Sequence, residues 1–254
     1  MGRCSAALLL LCALAARGEP LFLGQVPVEV ERGVALAGPL RVRLLLRPGS
    51  TGRLADLESR VRVQREEGSA TVRVEGYPVG RDAAALQHSR PSFLVDYDEA
   101  EVQALRAAVI REASDHPRPE QLEAFVARYI EKKSYRRGQD PASVVARLRE
   151  GDCKAHAVLL AALARMFGIP ARIVVGLAMV SVDGRAVAMG HAWVEIYRDG
   201  AWRAADAIRP EKGASMLRLP LSVISDEGPG YMLSLMDALA TLQDVRALSI
   251  VGAE

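Results

Sequence analysis

Between Val26 and Tyr77, apolar and polar side chains alternate with a period of two. The runs are Val26–Val30, Leu40–Leu44, Arg60–Arg65 and Thr71–Glu75, with Gly, Pro and Ser clusters between them. Successive side chains of a strand point to opposite faces, so this pattern marks half-buried strands with one wet face. The spacing predicts an antiparallel β-domain, with a hairpin across Glu66-Glu67-Gly68-Ser69. The arginines of these runs form its solvated face, and no chemistry is visible in this part.

After Asp96 the period becomes helical. One helix is predicted over 98–114. A second runs from Pro119 to Lys133, with Leu122, Phe125, Val126, Tyr129 and Ile130 on one face. A third starts with Asp140 as N-cap and Pro141 in the first turn. Asp152 caps a fourth, which carries Cys153 and continues through Ala157–Phe167. That last helix is apolar on nearly every side, so it belongs at the centre of the core. Gly168 suits a left-handed C-terminal position and Pro170 forbids continuation. Arg172–Met179 reads as a strand. His191–Tyr197 and Ala201–Asp206 read as a hairpin about Asp199-Gly200, a dipeptide favoured in type I′ turns.

The hairpin register can be followed outward from that turn. Tyr197 faces Trp202, Glu195 faces Ala204 and Trp193 faces Asp206. His191, Trp193, Glu195 and Tyr197 then share one face with Trp202, Ala204 and Asp206, while Ala192, Val194 and Ile196 share the apolar one. His191 and Asp206 are diagonal neighbours, about 7–8 Å apart in the backbone, within reach for an imidazole and a carboxylate.

Residues Met1–Gly18 fit neither period. Arg3, an apolar run over Ala6–Ala16 and small residues at Ala13 and Ala15 are the parts of a secretory signal peptide. The stretch is too short to span a bilayer, and neither Cys4 nor Cys12 sits in a lipobox-like context. An Arg- and Ala-rich, Lys-poor composition suggests a bacterial source, so export means the periplasm or secretion. The formal net charge is +2. A near-neutral chain argues against a nucleic-acid partner, which usually demands a basic surface. No His/Cys/Asp cluster has metal-ligand spacing, and no glycine loop could cradle phosphate, so no cofactor or metal is expected.

The export reading decides what Cys153 means. The chain has three cysteines, and removal of the signal leaves only Cys153. A lone thiol in an oxidising compartment has no intramolecular partner. At a helix N-terminus, the positive end of the dipole stabilises its thiolate. A thiol, an imidazole (His191) and a carboxylate (Asp206) are the parts of a nucleophile–base–orienter site.

The stretch from Gly151 to Asp206 resembles the transglutaminase-like cysteine enzyme superfamily, related to papain-like proteases. The matching blocks are Gly151-Asp152-Cys153, Ala164–Arg172 with Gly176, His191–Tyr197, and Gly200-Ala201-Trp202 followed by Asp206. The resemblance implies that Cys153 is the nucleophile, His191 the base and Asp206 the third member. It implies an α+β core with a central helix against an antiparallel sheet, here preceded by a small all-β domain. The expected organisation is 1–18 signal peptide, 19–92 β-rich domain and 93–254 transglutaminase-like domain. The expected chemistry is acyl transfer from an amide through a Cys153 thioester, to water or to an amine. The export reading tilts this toward hydrolysis of a peptide, protein or cell-wall peptide. The alternative is a non-catalytic interaction module that keeps the fold. Animal transglutaminases use calcium, but no acidic calcium loop is evident.

Around the triad, Asp152, His156, Trp193, Glu195 and Trp202 are expected as cleft or supporting residues. Asp152 caps the helix, and its charge beside the thiol opposes a thiolate. Arg172 is expected in a structural salt bridge. His88 and His116 lie in loop-like stretches and are expected to be exposed.

Overall fold

In the computed structural model, residues 25–31, 34, 36, 40–50, 54–67, 69–74, 84–134, 138–182, 185–208 and 216–252 are described. The expected signal peptide, with Cys4 and Cys12, lies outside them.

The alternating N-terminal runs form strands, with departures that have local causes. β1 (Gln25–Val26) and β2 (Val28–Val30) flank Pro27, which has no N–H to donate to a ladder. The two strands join different sheets. β3 (Leu40–Leu46) buries Leu40, Val42, Leu44 and Leu46 on one face. A short helix α1 (Ala55–Glu58) precedes β4 (Val63–Glu66), so Arg60 lies before the strand expected to contain it. β4 pairs with β5 (Ser69–Val74), with Glu66 opposite Ser69 as the hairpin reading requires.

The predicted helix over 98–114 is broken into α2 (Ala100–Gln103) and α3 (Arg106–Glu112). α4 (Pro119–Tyr129) stops before Ile130, whose backbone is extended. Lys132–Lys133, expected to be helical, instead form β6, which pairs in parallel with β7 (Glu150–Gly151). α5 (Ala142–Leu148) has Pro141 at its N-cap, one residue later than expected. α6 (Cys153–Met166) is buried along its whole length, as a helix apolar on nearly every side must be, and it takes Lys154, His156 and Arg165 inside with it. It ends at Gly168, with φ +77°. The remaining elements are β8 (Ala171–Val182), β9 (Arg185–Arg198), β10 (Ala201–Ala205), β11 (Met216–Val223), α7 (Tyr231–Asp244) and β12 (Val245–Gly252).

One sheet runs β1-β9-β8-β11, with β10 also on β9; the other runs β2-β12-β3-β5-β4. Strands cross the expected boundary near residue 92 in both directions. β1 pairs with β9, and β12 sits between β2 and β3. α6 packs with Ile173, Val175, Ala192, Val194 and Ile196 in one core. Further along the same two strands, Leu177, Met179 and Ala188 enter a second core with the N-terminal strands. The central helix on an antiparallel sheet is therefore present, and the second sheet is built from both ends of the chain.

Candidate active site

The start of α6 is set by close packing. A Cβ on Gly151 would stand 2.2 Å from Ala155 Cβ, so only glycine lets the chain enter the helix this tightly. Asp152 then caps the helix, its Oδ1 accepting from Lys154 N at 2.9 Å. Its Oδ2 pairs with Lys154 Nζ, and both side chains are buried. Cys153 follows as the first helical residue, a buried free thiol. His156, one turn on, donates from Nδ1 to the Asp152 carbonyl at 2.8 Å. Burial holds its imidazole below the usual 6.5, against the pull of that hydrogen bond.

The hairpin supplies the other side. β10 pairs with β9 in the register read from the turn, Ala201 opposite Arg198 through Ala205 opposite Val194. Asp199 and Gly200 have φ of 54° and 76°, the left-handed pair of a type I′ turn. β1 occupies the same edge of β9 only at Ala188 and Met189. Among the described residues, neither strand covers Gly190–Trp193. His191 lies in that gap, and there it hydrogen-bonds Cys153.

Asp206 is the first residue after β10. His191 donates from Nε2 to Asp206 Oδ2 at 2.9 Å, which leaves Nδ1 for the sulfur. Asp206 accepts two more bonds, from Arg218 Nε to Oδ2 at 2.7 Å and from Ile208 N to Oδ1 at 2.9 Å. Its own amide donates to Glu123 Oε1 at 3.2 Å, which ties the end of the hairpin to α4. Burial alone would drive the His191 imidazolium to lose its proton. The Asp206 charge, the bond to it and the contact with Cys153 prevail, and the pKa is pushed up from 6.5 to about 10. Burial works to raise the Asp206 carboxyl, while His191 and then Arg218 hold it below its usual 3.8.

The aromatic residues are walls of the core. Trp193 stacks on His191 at 5.9 Å between ring centroids and is fully buried. Its indole crosses Gly176, which stands opposite His191 on β8. A Cβ there would lie 2.7 Å from Trp193 Cη2 and 2.2 Å from Leu219 O. Trp202 is also fully buried, with the Arg172 guanidinium 4.0 Å above its ring.

Glu195, expected at the cleft, has no exposure at all. It accepts from Arg172 Nε at 2.8 Å and pairs with Arg60. The salt bridge expected for Arg172 is thus this one, and Glu195 ties the N-terminal segment to β8 and β9. His88 departs from expectation. It is buried, edge-on to Trp202 at 5.6 Å, with Nδ1 4.0 Å from Glu227. Tertiary packing folds the 84–89 turn inward, which local loop chemistry does not reveal. His116 is exposed, as expected. Arg165, within one of the quoted blocks, is a buried clamp that binds Glu227 through both terminal nitrogens at 2.7 Å.

Sequence reasoning missed Arg218, Glu123 and Lys154. Glu123 lies 83 residues from Asp206 and Arg218 12 residues beyond it on the next strand, and no local pattern marks either. Lys154 had a signal: a lysine two residues from a buried capping aspartate is its nearest available counter-charge. Among the described residues, no cluster of His, Cys, Asp and Glu could hold a metal ion.

Residues 103–207 match the profile of the transglutaminase-like superfamily. No curated protein matches this sequence. Several solved structures are similar to the chain, among them the following three. A proposed cysteine protease from Cytophaga hutchinsonii is 18% identical, with a TM-score of 0.47, covering 90% of this chain and 82% of that one. The ethylmercury-bound periplasmic domain of TgpA from Pseudomonas aeruginosa is 20% identical, with a TM-score of 0.39, over 57% of this chain and 58% of that one. A TGase is 16% identical, with a TM-score of 0.34, over 68% and 52%.

Proposed function

With residues 103–207 forming a transglutaminase-like superfamily domain, we propose that the protein is an exported cysteine-dependent acyl-transfer enzyme. Cys153 attacks an amide carbonyl and forms a thioester. His191 holds the thiol proton from Nδ1 and returns it to the leaving amine. Asp206 fixes the ring and stabilises its charged form. The acceptor then attacks the thioester, and Cys153 leaves with the proton restored.

The observation that carries this reading is the continuous line of contacts from Cys153 through His191 to Asp206. Two features favour a resident charge on His191. Asp206 accepts three bonds in its ionised form, and the imidazole is held protonated well above neutral pH. The substrate proposed is a peptide, protein or cell-wall peptide, with water as the favoured acceptor. Export rests on the signal-like residues Met1–Gly18. Among the described residues no helix is long and apolar enough to cross a membrane.

The test is turnover of a glutamine-containing peptide with and without added amine, with Cys153→Ala as control. Ammonia or free acid without amine marks hydrolysis, and an amine adduct marks transfer. If no product forms and Cys153 resists iodoacetamide at neutral pH, the enzyme reading fails.

A further inference from the structure

The buried carboxylate beside the nucleophile poses a physical problem. Asp152 precedes Cys153 directly and is 5% exposed. Ionising the sulfur would place a second negative charge next to the first, in surroundings that screen poorly. Helix capping accounts for one carboxylate oxygen, Oδ1, through the Lys154 amide. It does not account for Oδ2, which is held by the Lys154 ammonium, itself 6% exposed. A lysine is rarely buried this deeply without a charge to answer. The pair is also local: one two-residue step carries both the cap and the counter-charge.

We propose that Lys154 is a positioning residue that neutralises Asp152, so that the capping carboxylate does not oppose ionisation of Cys153. This rests on the reading of Cys153 as the nucleophile. Among the described residues, the other charged and titratable groups about the start of α6 have their own partners or lie farther out. On α6 itself, His156 is bonded to the Asp152 carbonyl. From β9 comes His191, which joins Asp206 beyond β10, and from β11 comes Arg218, also on Asp206. Glu123 of α4 accepts the Asp206 amide, and Arg172 of β8 is paired with Glu195. On the β6–β7 pair, Lys133 is exposed, and Glu150 binds Lys132 at 3.0 Å. Asp152 is thus the negative charge closest to Cys153 in sequence, and the Lys154 ammonium is paired with it.

The experiment measures the alkylation rate of Cys153 by iodoacetamide against pH in the full chain. Lys154→Met leaves a buried, uncompensated carboxylate and moves the rate profile to higher pH. On the acid side the rate falls about tenfold for each pH unit of displacement. Asp152→Asn in the Lys154→Met background keeps a capping oxygen, removes the charge and returns the profile toward native. Lys154→Arg keeps the charge and leaves the profile close to native. If Lys154→Met does not fold, Lys154→Gln takes its place with the same expectation. A packing role for Lys154 predicts no rescue by Asp152→Asn. An unmoved profile, or no rescue, overturns the proposal while leaving the nucleophile reading intact. A native Cys153 that reacts no faster than Cys153 of the denatured chain overturns both.

Discussion

Asp206 lies one residue past the last rung of the β9–β10 hairpin, and its Oδ2 stands 2.9 Å from His191 Nε2. Because Asp206 has left the ladder, its backbone and side chain are free to be held by other elements. Arg218, Ile208 and Glu123 do this.

Asp206→Asn keeps the shape and removes the charge. The His191 pKa then falls from about 10, since the Asp206 charge opposes the cost of burial. Turnover should drop by about 100- to 10,000-fold, the usual weight of positioned acid–base catalysis. The alkaline limb of the pH profile should move to lower pH. A limb that stays in place would show that Asp206 does not control the imidazole.

The same pair makes stability depend on pH. The unfolded imidazole loses its proton near 6.5, whereas the folded one keeps it to about 10. The contribution is therefore full below about 6.5 and is lost as the pH rises through about 10. Chemical denaturation of the native protein and of Asp206→Asn should give a difference in stability that shrinks across this window.

Arg218→Met acts on the acid side. The Asp206 carboxyl stays below 3.8 against the effect of burial, with help first from His191 and then from Arg218. A depressed carboxyl stabilises the fold above its unfolded pKa, and that stability is lost as the pH falls through the folded value. Without Arg218 the folded value rises, so acid unfolding should begin at higher pH. Circular dichroism on acid titration checks this.

Glu195→Ala leaves Arg60 and Arg172 buried without their carboxylate. Breaking a buried ion pair from one side costs about 3–5 kcal/mol. Urea denaturation should show a loss of that order. Glu195 supports the sheet through Arg60 and Arg172, so the pH profile of Cys153 alkylation should not move.

Gly176→Ala places a Cβ 2.7 Å from Trp193 Cη2 and 2.2 Å from a backbone oxygen. Overpacking of this kind costs about 1–3 kcal/mol. The Trp193 indole is the part able to shift, and it stacks on His191. A fall in both thermal stability and turnover is expected, and a change in tryptophan fluorescence would report the displacement.

Local and short-range features were legible in the chain. The turn at Asp199-Gly200 sets the hairpin register, and the register puts His191 and Asp206 on one face. The apolar run after Cys153 makes α6 the central helix, because no face of it tolerates water. Gly168 and Pro170 end that helix for reasons of backbone alone. What the chain by itself could not decide was which distant elements meet. Nothing in Val245–Gly252 says that it inserts between β2 and β3, since strand partners are chosen by whole-sheet packing. Nothing near Arg60 points to Glu195, more than a hundred residues away, and nothing near Arg218 points to Asp206. Charges are placed in the interior only where a partner from elsewhere satisfies them. The polar groups that tune this site were therefore settled by the tertiary fold, and the groups that would do the chemistry were already written in local sequence.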